Sequence, residues 1–145
     1  MVLTISSWFN EPGVKFNVSH KIYKRIRQLL IEEIMHPFEL DKKDSDTFIG
    51  LITATSLNTE ALEVRGPELN KKNKTINYGL WLPYRKITES DDYLRDFLQN
   101  YFDALVKVFQ HYDVPEANVR KVQKQTESEV LNNSDYQSDI SNASR

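Results

Sequence analysis

Ser90 to Tyr112 reads SDDYLRDFLQNYFDALVKVFQHY, and this stretch decides the fold. Leu94, Phe97, Leu98, Tyr101, Leu105, Val108, Phe109 and Tyr112 recur at about 100° per residue, the signature of one apolar helix face. Such a face needs a second layer to cover it. The segments upstream supply one. Thr75 to Tyr84 alternates, with Ile76, Tyr78, Leu80 and Leu82 on one face and Asn77, Gly79 and Trp81 on the other. That is the period of a half-buried strand, and Pro83 marks its end. Leu62 and Val64 alternate with Glu63 and Arg65 in an exposed strand stopped by Gly66-Pro67, and Asn70 to Lys74 reads as a polar loop. Thr47 to Thr55 is apolar on both faces, which suits a central strand.

Further upstream, Ile22, Ile26, Leu29, Leu30 and Ile34 form an apolar stripe at helical spacing, opened by Ser19 and ended by Pro37. Glu39 to Asp46 reads as a solvated loop. The chain begins with Val2 to Phe9, an alternating strand. The Asn10-Glu11-Pro12-Gly13 turn and a second strand over Val14 to Val18 follow. Downstream, Pro115 starts a weaker helix carrying Val119 and Val122. The expected order is β-β-α-β-β-β-α-α. The expected fold class is α+β, with a mostly antiparallel sheet and the helices packed on one face. Residues 1–131 form the domain. Residues 132–145 form a polar tail, expected to be mobile because its apolar content is too low to dock it.

The chain has 145 residues, 39% hydrophobic and 28% charged, with a formal net charge of −2. That length suits one domain with its own core. The chain lacks cysteine, which excludes disulfides, thiolate metal sites and cysteine nucleophiles. The mild negative charge argues against a nucleic-acid partner. No apolar run reaches the ~20 residues of a membrane-spanning helix, and Met1 to Phe9 lacks the basic region of a secretory signal. No membrane partner is expected, and the location expected is cytoplasmic.

Motifs for chemistry are sparse. The glycines Gly13, Gly50, Gly66 and Gly79 are scattered, so a phosphate-cradling loop is not expected. His20, His36 and His111 lack metal-ligand spacing and fall near helix ends, so no metal and no cofactor are expected. Glu32 and Glu33 are adjacent on a helix and point about 100° apart, which prevents them from facing each other as an acid/base pair.

Two features point instead to binding. Asp92, Asp96, Gln99 and Asp103 form one line on the long helix, opposite its apolar face. The helix N-terminus explains Asp92, but Asp103 lies too deep for that effect. The line reads either as a solubilising face or as a binding stripe for a basic partner. Trp8 and Trp81 alternate away from the apolar strand faces. With Tyr84 of the WLPY segment, they are candidate interface anchors.

A strand hairpin at the start, the WLPY segment at a strand end and a long amphipathic helix with acids outside occur together in a small cysteine-free chain. This combination resembles the small α+β immunity proteins of bacterial polymorphic-toxin and contact-dependent inhibition systems. The resemblance covers Met1 to Tyr112 and assigns no individual residue. It implies a protein without catalysis that neutralises a cognate toxin, such as a basic nuclease domain, by covering its active site. The alternatives are a structural or adapter subunit that dimerises, and a small enzyme using carboxylates or a histidine. The sequence leaves the oligomeric state open.

Overall fold

The computed structural model describes residues 1–8, 18–54 and 59–137. Four strands, β1 (Val2–Trp8), β2 (Phe48–Ala54), β3 (Glu63–Asn70) and β4 (Thr75–Trp81), form one sheet in the order β1-β2-β4-β3. The helices are α1 (His20–Leu30), α2 (Tyr84–Glu89), α3 (Tyr93–Gln110), α4 (Glu116–Val130) and α5 (Ser134–Gln137). A π-helical turn, Ile31–Met35, extends α1, and a 3-10 turn, Leu40–Lys42, interrupts the acidic loop.

The fold is α+β as expected, but the sheet is mixed rather than mostly antiparallel. β1 pairs with β2 and β2 pairs with β4, both in parallel; only β3 and β4 are antiparallel. The reason lies in the connections. α1 stands between β1 and β2 and lets the chain return to the same end of the sheet, as parallel pairing requires. β3 then takes the edge beyond β4, and the β3–β4 hairpin folds back so that β4, not β3, lies beside β2. Most of the expected second strand, and the turn before it, lie outside the described residues. Val18, its last residue, is buried and leads into α1.

Three local expectations change. β3 does not stop at Gly66-Pro67 but runs to Asn70, through a register shift between Arg65 and Glu68. Pro67 is tolerated there because an edge strand leaves one row of backbone groups unpaired. Gly66 has φ 115°, and a Cβ on it would lie 2.6 Å from the Asn77 carbonyl oxygen, so this position requires glycine. Second, Pro83 begins a helix as well as ending a strand: α2 follows at once and places Tyr84 and Ile87 in the core. Third, α5 lies within the polar tail, where Tyr136 is half-buried under Lys21, whose ammonium sits 5.0 Å from the ring centre.

The two long apolar stripes are buried as read. Ile22, Ile26, Leu29, Leu30 and Ile34 meet Phe97, Leu98, Tyr101, Leu105 and Phe109 in one core with Leu3, Ile49, Leu51, Tyr78 and Leu80 of the sheet. Phe102, Ala104 and Val106 are buried too, because α4 packs on the side of α3 that the stripe leaves free. The helices tie to their neighbours through cations. Arg27 Nε donates to the Leu3 carbonyl at 2.7 Å, and Arg25 holds Glu129 of α4 at 2.7 Å. The basic cluster of α1 is thus partly structural.

At one end of this core, the Tyr23 and Tyr101 hydroxyls lie beside Thr53 Oγ1, with no hydrogen-bond geometry among them. Burial pushes both phenols well above their ordinary range, so they stay protonated at any physiological pH.

Candidate functional site

The helices cover only one face of the sheet, and strand alternation determines what the other face carries. In register across the strands, that face holds Val2, Phe48 and Thr75; then Thr4, Gly50 and Asn77; then Ser6, Ile52 and Gly79; then Ala54 and Trp81. None of these residues is charged, in a chain that is 28% charged. Charge enters only on the edge strand β3, at Glu63, Arg65 and Glu68. No described element packs on this face. Phe48 is 40% exposed and Val2 38%, and Ile52, half-buried, does not belong to the core.

Side chains level the face. A Cβ on Gly50 would lie 2.4 Å from Asn77 Oδ1, so the Asn77 carboxamide lies where a side chain on Gly50 would go. A Cβ on Gly79 would lie 3.5 Å from Trp81 Nε1, so the indole leans over Gly79. The Arg65 guanidinium stacks on that indole at 4.5 Å from the ring centre. Glu63 accepts from Arg65 Nε at 3.1 Å and from Nη2 at 3.3 Å. This bond to the guanidinium holds the Glu63 carboxyl below its ordinary range, so it is ionised and pins Arg65 at neutral pH. Glu63, Arg65 and Trp81 together form one corner of the face.

The expected site residues scatter. Trp81 is half-exposed on the open face, where alternation placed it. Trp8 ends β1 in register with Ala54, and its side chain lies outside the described residues. Tyr84 is fully buried under α2 and presents nothing to a partner. Asp92 is the N-cap of α3, accepting from the Arg95 amide, and its carboxylate pairs with Arg95 Nε at 3.0 Å. Asp96 is half-exposed on the first turn.

Gln99 and Asp103 are drawn into the α3–α4 interface. Asp103 meets Arg120 of α4 at 2.8 Å and accepts from Gln99 Nε2 at 3.0 Å, and Gln99 accepts from Gln123 at 3.1 Å. Two of the four residues in the line, Gln99 and Asp103, thus also tie α3 to α4. Lys107 stands four residues on from Asp103 on the same helix, yet the acid pairs with Arg120 of α4, a partner that spacing along α3 does not reveal.

His20 begins α1. His36 lies 3.2 Å from Asp41 after the π-helical turn, and His111 caps α3, where its ring nitrogen meets the Val108 carbonyl at 3.0 Å. Among the described residues, no cluster of three or more His, Asp or Glu side chains is arranged to hold a metal ion. No described helix is long and apolar enough to cross a membrane. No protein-family model, no curated protein and no solved structure matches the chain.

Proposed function

We propose that the protein is a binding module that acts as an immunity protein, neutralising a cognate bacterial toxin by covering its active site, and that the open sheet face is the covering surface. The observation that carries this reading is the absence of charge from β1, β2 and β4 on that face, beside a half-exposed tryptophan. Interface centres are depleted of charge and enriched in aromatic anchors, while their rims are polar. Phe48, Ile52 and Trp81 would form the centre, and Glu63, Arg65 and Glu68 the rim.

Any occupant of this face, a second copy included, must reach beyond the sheet to form a stable interface. Four strands at ~4.8 Å spacing and seven residues at ~3.3 Å rise span roughly 440 Å². A stable interface takes about 800 Å² per partner, so a copy stacked face to face on the sheet alone falls short.

Co-purification from the native host tests the reading. The wild-type protein should capture a protein whose expression alone is toxic, and co-expression should relieve that toxicity. A Thr4→Arg, Ile52→Arg variant should fold and fail in both respects. Undiminished capture by that variant would move the interface elsewhere, and capture of a harmless protein would favour an adapter.

A further inference from the structure

A second surface lies at the other end of the hairpin from the Trp81 corner, and it does not depend on the reading above. A cavity of about 280 Å³ opens between the β3–β4 turn and the loop that precedes β2. Its floor is apolar, made by Ile76 and by Leu69, which at 64% has the highest exposure of the large hydrophobic residues described. One wall is the turn itself, with Lys71 and Lys74; the other carries Asp44 and Thr47.

Both walls are built rather than slack. Asn70 Oδ1 accepts from the backbone amides of Lys72 and Asn73 at 3.1 and 3.2 Å, and the Thr47 amide donates to the Asp44 carbonyl at 2.7 Å. The turn thereby presents three lysines within four residues, Lys71, Lys72 and Lys74. Among the described residues, only Lys74 has an acid, Asp46 at 3.8 Å.

We propose that this cavity docks an acidic peptide segment through one apolar anchor. The anchor side chain covers Leu69 and Ile76, and the flanking carboxylates meet Lys71 and Lys72. The charge order is directional, because Asp44 repels a carboxylate placed at the opposite wall. A nucleic acid fits less well: Asp44 and Asp46 repel a run of phosphates, and no aromatic side chain lines the cavity to stack a base.

The test uses a fluorescein-labelled hexapeptide of sequence Glu-Asp-Leu-Phe-Ser-Ser, which carries its acids on one side of the apolar anchor only. Two controls accompany it, one with Lys in place of every acid and one with Ser in place of Leu and Phe, together with a short thymidine oligonucleotide. Anisotropy gives affinity, and amide NMR locates binding. The acidic apolar peptide should shift Leu69, Lys71, Lys74 and Ile76. Its affinity should fall by roughly tenfold in a Lys71→Gln, Lys72→Gln variant, the loss of two rim charges, and severalfold in Leu69→Ser. These side chains are exposed, so an unchanged thermal midpoint will show that the variants fold. The proposal is overturned if those amides do not shift at millimolar peptide, if the Lys control binds as well, or if the Ser control does. Tighter binding of the oligonucleotide overturns it in favour of a nucleic-acid site. Because the Trp81 corner plays no part, loss of toxin capture by the open-face variant leaves this result untouched.

Discussion

Asp103→Asn separates a structural acid from a binding one. Asp103 lies 2.8 Å from Arg120, and the same guanidinium reaches Gln123 Oε1 at 2.9 Å and Glu116 at 3.2 Å. The side chains of Asp103 and Arg120 are 36% and 30% exposed, so solvent screens their attraction. A fully exposed pair contributes about 0–1 kcal/mol, and a charged hydrogen bond in a drier setting about 1.5–3 kcal/mol. The intermediate exposure places the loss for Asp103→Asn at about 0.5–1.5 kcal/mol. It also places its coupling to Arg120→Met at about 0.5–1 kcal/mol. Urea unfolding of the two single variants and the double variant, followed by circular dichroism, measures both. Asp91→Asn is the control: it is exposed ahead of the α3 N-cap and should change stability by less than about 0.5 kcal/mol. A neutral Asp103→Asn with coupling under about 0.2 kcal/mol would refute the reasoning. Asp103 would then be free in solution and would return as a candidate partner contact.

Leu98→Ala and Leu105→Ala each empty a fully buried site on α3 and should cost about 2–5 kcal/mol by the same unfolding assay. Thr53→Val should be neutral or slightly stabilising, because Thr53 Oγ1 is buried without a hydrogen-bond partner; a loss above about 1 kcal/mol would mean that Tyr23 or Tyr101 bonds to it in solution. The Glu63 carboxyl should titrate below the ordinary glutamate range by NMR and return toward that range in Arg65→Gln. Its folded-state pKa is depressed, so whatever it contributes is present above the unfolded value and lost as pH falls through the folded one. The stack of Arg65 on Trp81 should loosen over that same acidic range.

Periodicity is a property of local sequence, and what depends on it was legible. The stripes of α1 and α3, the alternation of β1 and β4 and the apolar run of β2 need only the backbone repeat and the cost of exposing apolar surface. So does the placement of Trp81 opposite Leu80 and Leu82. Which strand lies beside which is decided by the whole chain. β3 and β4 read as neighbours and are, but β2 pairs with β4 because β3 takes the edge, and no residue in β2 encodes that choice. Pairing is a contest among distant segments, settled by which arrangement lets α1 and α3 bury the most surface.

The same division runs through the candidate site. The sequence lined up Asp92, Asp96, Gln99 and Asp103, but it could not show that Arg120 and Gln123, on another helix, would claim the last two. Tyr84, a candidate anchor at the end of the WLPY segment, is the first residue of α2 and is buried in the core. The open face combines both levels. The sequence alone kept charge off both sides of β1, β2 and β4. Only the packing of every described helix on the opposite side left that uncharged surface without a described covering layer, because a sheet has two faces and local sequence does not say which of them the helices will cover.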